Sequence, residues 1–205
     1  MFEKLTQYCT EIGNNFDTLS VERKAALTAF SEKIKRQFIE NGSSKIIVIC
    51  THNSRRSHLG QLWLQIAADF YQVKNIETFS GGTEATALNE RVVSCLKNIG
   101  FEIESDNLTP ENPIYAIQWQ TNMAPYMAFS KKYDTKPNPK NHFIAVMVCT
   151  SADEGCPIVS GAEYRVSLPF DDPKDFDDTP LEKEKYAERC FEIATEMFYT
   201  ISLLK

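Results

Sequence analysis

The stretch Cys50-Thr51-His52-Asn53-Ser54-Arg55-Arg56-Ser57 places a cysteine six residues ahead of an arginine and a serine directly behind it. It follows a compact apolar run, KIIVIC, and precedes a helix-forming run, HLGQLWLQIAADFYQ. Where a strand hands over to a helix, the loop's N–H groups and the helix N-terminus converge and favour an anion. A cysteine at the start of such a loop lies under that positive cluster, which favours its nucleophilic thiolate. Arg56 can fork onto two oxygens of a tetrahedral anion. Ser57 can donate its hydroxyl to the sulfur. The competing reading is a buried strand-end cysteine beside a solvated arginine pair.

A second chemical feature is Cys149-Thr150-Ser151-Ala152-Asp153-Glu154-Gly155-Cys156-Pro157, which begins where another apolar run, HFIAVMVC, ends. A disulfide across it requires the intervening polar loop to bring the thiols together. A zinc site is a poorer match, because the spacing is long and no second Cys or His pair accompanies it. Two unrelated buried thiols remain a third option. A third feature is Phe170-Asp171-Asp172-Pro173, an acidic turn after a strand and before the last helix. The aspartates that follow it, Asp175, Asp177 and Asp178, fit a solvated acidic loop equally well.

The elements that must hold these residues read as alternating strands and helices. KIIVIC and HFIAVMVC are β-branched runs of the kind buried on both faces in parallel sheets. IETFS and EYRVSLPF are further strands, and NERVVSCLKNIG is a helix closed by glycine. Thr179-Pro180-Leu181-Glu182 is expected to open the last helix with a capping box. Leu27, Phe30, Ile34 and Phe38 recur at helical spacing after a cap at Ser20, with a shorter helix ahead of them. The expected organisation is an N-terminal helical extension over residues 1–44 and an α/β domain over 45–205. That domain carries an inserted β-hairpin near 112–140, a lid or partner surface or else a plain structural insertion. The expected fold is a three-layer sandwich around a central parallel sheet.

Composition sets the outer limits. The 205 residues are 42% hydrophobic and 24% charged, as in ordinary globular domains. The net charge of -6 disfavours nucleic acid or anionic membrane as a partner, so an anionic substrate requires a local positive site. The N-terminus lacks the basic start and apolar stretch of a signal peptide, and a cytoplasmic setting is expected. In a reducing compartment the six cysteines are not expected to form a structural disulfide framework. Cys9, Cys95 and Cys190 lie on apolar helix faces and read as core. His52 and His58 read as solvated, and His142 has no evident partner.

CTHNSRRS resembles the active-site loop of low-molecular-weight protein tyrosine phosphatases and their arsenate reductase relatives, which carry Cys-x-Gly-Asn-x-x-Arg-Ser. Cys50, Asn53, Arg56 and Ser57 match, while His52 replaces the glycine and Arg55 adds a charge beside the site. The resemblance covers roughly Lys45 to Lys205 and includes Ser80 and Gly82 in a family-like turn. It implies that Asn53 holds a strained turn, that Thr51, His52, Asn53, Ser54 and Arg55 line the anion, and that Asp172 acts as general acid. Cys-x6-Cys-Pro ahead of Asp-Pro is similar to thioredoxin-coupled arsenate reductases. That likeness implies a relay in which Cys50 attacks arsenate, Cys149 attacks the adduct, and Cys156 passes the disulfide on to thioredoxin. A phosphomonoester hydrolase acting on phosphotyrosine is the alternative, and it needs only Cys50, Arg56, Ser57 and Asp172. A non-catalytic oxyanion or redox sensor is the third class. Some such reductases hold potassium near the loop; Gln61 stands in place of a carboxylate ligand, and neither a metal nor another cofactor is assigned.

Overall fold

A computed structural model describes residues 1–106, 111–155 and 158–205. Two helices come first, α1 (Glu3–Gly13) and α2 (Val21–Asn41). Ser20 caps α2 by accepting from the Arg23 N–H, and Gly42 ends it at φ +71°, a left-handed conformation that glycine adopts without cost. Leu5, Cys9, Ile12, Leu27, Phe30 and Ile34 are all fully buried in the same core as the sheet.

The sheet is parallel and four-stranded: β1 (Ser44–Cys50), β2 (Ile76–Gly82), β6 (Phe143–Met147) and β7 (Ala162–Ser167), in the order β2-β1-β6-β7. Its central strands β1 and β6 are buried along nearly their whole length, which explains their near-continuous apolar sequence. Helices α3 (Arg56–Tyr71), α4 (Glu90–Ile99), α5 (Thr150–Gly155) and α6 (Glu182–Ser202) flank the sheet. The α/β fold with a central parallel sheet is therefore the one expected. A second, antiparallel sheet joins β3 (Glu102–Ser105), β4 (Tyr115–Gln118) and β5 (Tyr126–Ala128). Among the described residues no helix is long and apolar enough to cross a membrane.

Two local expectations change. The last helix begins at Glu182, without a side-chain cap, rather than at Thr179. Glu182 does reach back, to the Asp178 N–H at 2.7 Å, but its carboxylate also holds Arg91 at 2.6 Å. An ion pair between elements thus takes the side chain that a capping box would use. The segment after Cys149 is helix α5, not a loop.

Candidate active site

The site lies at the carboxyl end of β1, where chain connections leave the sheet in opposite directions toward β2 and β6, the usual ligand crevice of open parallel sheets. The loop from Cys50 to Arg55 is held from outside by its carbonyls. Cys50 O accepts from the Thr83 N–H at 3.2 Å, Thr51 O from Glu84 N–H at 2.8 Å, and Ser54 O from Asn89 N–H at 3.0 Å. His52 O accepts from the Ser130 hydroxyl at 3.0 Å and the Thr86 hydroxyl at 3.2 Å. Asn53 O is 3.0 Å from His58 Nε2, and Arg55 O accepts from Leu59 N–H. In a trans peptide the N–H points opposite to the C=O. Carbonyls turned outward at six successive positions therefore turn the following N–H groups inward. The N-terminus of α3, sixteen residues long, adds its own amides. This is an anion cradle made by the backbone.

Two side chains and a glycine fix its shape. Asn53, fully buried with φ +45°, makes the left-handed turn that asparagine tolerates better than most residues. Its Oδ1 accepts from the Lys131 backbone N–H at 2.8 Å. Its Nδ2 donates to Ser57 Oγ at 2.8 Å, and Ser57 Oγ lies 3.1 Å from Cys50 Sγ. Because Asn53 fills an acceptor site of the hydroxyl, the Ser57 proton is free to point at the sulfur. Gly82 is needed for close approach: a Cβ there would stand 2.6 Å from Thr51 O and 2.7 Å from Asn53 N.

Arg56 and Asp172 meet across the mouth. Arg56 Nη1 donates to Phe170 O at 2.8 Å, and Nη2 donates to Asp172 Oδ2. The other carboxylate oxygen of Asp172 caps the turn Pro173–Phe176 by accepting from Lys174 N–H at 3.1 Å. Arg56 Nε is buried and has no hydrogen-bond partner among the described residues. A buried guanidinium N–H left open costs free energy unless a ligand supplies the acceptor. Asp172 is the anion that Arg56 holds.

Cys149 is 1% exposed, with its sulfur 3.4 Å from Thr51 Oγ1 and 3.4 Å from the Ala152 N–H. The pairing of Ile49 with Met147, continued one bond by Val148 N–H to Ile49 O, places Cys149 level with Thr51. Since side chains alternate along a strand, Cys149 keeps company with Thr51 rather than facing Cys50 directly. Cys156 lies outside the described residues.

The remaining expected residues are dispersed. His52 is about half exposed, 3.7 Å from Glu84. Ser54 is buried beneath the loop. Arg55 is turned to Asp177 at 3.0 Å and to the Tyr186 hydroxyl at 2.7 Å. Its charge is thus matched by a carboxylate away from the loop's interior. His58 is fully buried, not solvated, and burial together with the Lys131 charge pushes it down to about 3, so it is neutral. His142 stands 3.8 Å from Glu163. Cys9 and Cys190 are core, and Cys95 is partly exposed.

Sequence reasoning missed Lys131. It is 4% exposed, burial pushes its ammonium down to about 8, and it packs over the Phe129 ring at 4.7 Å. Its neighbour Ser130 braces His52, so the segment after β5 supports the loop from outside. Of the groups named for potassium, Asn53 and Ser80 are engaged, while Gln61 Oε1 has no hydrogen-bond partner among the described residues. Asn53 Oδ1 already accepts from Lys131, Ser80 Oγ lies 3.4 Å from His58 Nδ1, and the buried ammonium already supplies a positive charge felt at His58. Among the described residues no group of three His, Cys, Asp or Glu is placed to hold a metal.

No family model matches the chain. In sequence it is similar to arsenate reductase 2 of Staphylococcus epidermidis, 28% identical over 131 residues that span 62% of this chain and 77% of that one. In fold it is similar to a low-molecular-weight phosphotyrosine phosphatase from Vibrio cholerae, with a TM-score of 0.54 at 13% identity over 79% of this chain and 97% of that one. A low-molecular-weight protein tyrosine phosphatase from T. tengcongensis gives a TM-score of 0.52 at 15% identity, covering 78% and 99%. The resemblance read from the loop motif is matched in sequence by arsenate reductases and in fold by low-molecular-weight tyrosine phosphatases.

Proposed function

We propose that this chain, similar in sequence to arsenate reductases and built on the low-molecular-weight tyrosine phosphatase fold, reduces arsenate to arsenite. The observation that carries the reading is Cys149, a second thiol 3.4 Å from the hydroxyl of the residue next to Cys50. Residues 45–205 are read as the catalytic domain, with the hairpin near 112–140 inserted in it and residues 1–44 as a helical extension.

Arsenate enters the cradle and takes Asp172's place on Arg56, with the open Nε as an additional donor. The Cys50 thiolate, supported by Ser57, attacks arsenic; an As–S bond forms and an As–O bond breaks. Asp172, in its protonated form, gives its proton to the departing oxygen, which leaves as water. Thr51, His52, Asn53, Ser54 and Arg55 shape the cradle, chiefly through their backbone. Cys149 then attacks the Cys50 sulfur. The S–S bond forms as the As–S bond breaks, its electron pair stays on arsenic, and arsenite leaves. Cys156 attacks Cys149 and frees Cys50, and a dithiol reductant, thioredoxin in this reading, reduces the Cys149–Cys156 disulfide.

A second reading has support of its own. Cys50, Arg56, Ser57 and Asp172 form a complete set for phosphomonoester hydrolysis without Cys149. Arsenate-dependent NADPH oxidation, with thioredoxin and thioredoxin reductase, separates the two. Turnover by the wild type and its loss in both Cys149→Ser and Cys156→Ser supports the reductase. A silent wild type that hydrolyses p-nitrophenyl phosphate through Cys50 supports the phosphatase.

A further inference from the structure

Two thiols outside the relay are neighbours. Cys95 is on α4 and Cys190 on α6, and each bears on the other's ionisation. The Cys95 sulfur also lies 3.8 Å from the carbonyl of Tyr186, one helical turn before Cys190. Cys190 is fully buried, and its sulfur accepts the Trp63 indole N–H at 3.3 Å. Cys95 is partly exposed and lines a cavity of about 440 Å³ between α1, α4 and α6. Charges of both signs line the same cavity, Lys4, Arg91 and Lys183 with Glu11 and Glu182. The pair is therefore asymmetric, with one thiol at the cavity and the other behind it. The neighbouring Cys190 lowers the Cys95 thiol from its ordinary value, while burial raises Cys190.

We propose that Cys95 and Cys190 are a second redox-active pair, in which Cys95 is the peroxide-reactive nucleophile and Cys190 resolves it to a disulfide. The Cys95 thiolate attacks a peroxide oxygen. An S–O bond forms, the O–O bond breaks, and the leaving hydroxide takes up a proton as water. The resulting sulfenic acid is attacked by Cys190; the S–S bond forms, the S–O bond breaks, and a second water carries off the hydroxyl and the Cys190 proton. Any dithiol reverses the modification by exchange. The bond would tie α4 to α6 beside Tyr186, whose hydroxyl holds Asp177 at 2.7 Å and receives Arg55 at 2.7 Å. Oxidation at the cavity is thereby felt at the residue adjoining Arg56.

The test uses the full chain carrying Cys50→Ser, Cys149→Ser and Cys156→Ser, so that neither the relay nor its failure enters. After one equivalent of hydrogen peroxide, two of the three remaining thiols should be lost, and non-reducing peptide mapping should recover VVSCLK joined to the C-terminal peptide that begins at Cys190. Adding Cys95→Ser, a change at a partly exposed position, should abolish the thiol loss. Trp63 emission should shift in the first protein and not in the second. Recovery of unlinked peptides, a Cys9 cross-link, or thiol loss that survives Cys95→Ser would each overturn the proposal.

Discussion

The anion loop and the thiol arm that follows β6 are built on opposite plans. The loop is fixed at every step. Four of its carbonyls are held by other segments and two by α3, Asn53 is anchored to Lys131, and Ser57 is anchored to Asn53. The arm carries Cys149 at the start of a six-residue helix, too short to be stable alone. Beyond the contacts of the Cys149 sulfur, its described side-chain ties come from Asp153, which accepts from Arg165 and from the Ser167 hydroxyl at 2.7 Å. A rigid cradle suits oxyanion binding, where misplacement is costly. In the proposed relay, a thiol that first sits beside Thr51, then reaches Cys50, then is reached by Cys156 needs an element that turns easily. On that reading the contrast teaches that the first chemical step is preorganised and the second depends on local rearrangement.

The largest effect expected on the loop side is that of Cys50→Ser. It should lower both arsenate turnover and p-nitrophenyl phosphate hydrolysis by on the order of 10⁴-fold or more, measured in parallel assays. Cys149→Ser should stop only the former, which breaks the molecule into its two regions. Asp172→Asn should lower kcat by roughly 10²-fold or more through loss of the proton donor. Because Asp172 is paired with Arg56, the same change should lower KM or tighten inhibition by inorganic phosphate. A rise in KM would contradict that competition.

Lys131→Met sharpens the comparison on the stability side. The folded ammonium is at about 8, below its usual 10.5, so the charged form is disfavoured in the folded state. That cost is fully present below pH 8 and fades as pH rises from 8 to 10.5, by roughly 1.4 kcal/mol for each pH unit crossed. The variant should resist urea better than the wild type at pH 7, with the gap narrowing as pH rises toward 10.5. Ser57→Ala should cost roughly tenfold in kcat, the equivalent of one hydrogen bond. The smallest effect is expected from Asp153→Ala. Its partly exposed ion pair is worth about 1 kcal/mol or less, so global stability should barely move. Phosphate ester hydrolysis should be unchanged while arsenate turnover changes, since only the arm is loosened.

The strand-loop-helix unit is legible in the sequence because burial on both faces forces β-branched runs, and because Cys50, Asn53, Arg56 and Ser57 act within eight residues of each other. Asp172 is legible from its place between a strand and the last helix. What escapes is long-range. Lys131 follows an aromatic hairpin and looks like one of an exposed Lys-Lys pair; only the fold brings its N–H to Asn53. His58 looks solvated because its partners, Asn53 O and Ser80, lie on a buried loop and strand that no local pattern pairs. Arg55 carries a charge that suits an anion, yet Asp177 and Tyr186 claim it from distant positions. The last helix starts later than its capping pattern suggests because Arg91, in another helix, takes the Glu182 carboxylate.

The most direct test of the central claim is to trap the arm on the loop. Cys156→Ser protein is mixed with arsenate for a single turnover, acid-quenched, and mapped without reductant. The account predicts one arsenite released per chain together with a Cys50–Cys149 disulfide. Arsenite released with both thiols still free, or no arsenite from a protein that still hydrolyses p-nitrophenyl phosphate, would contradict it.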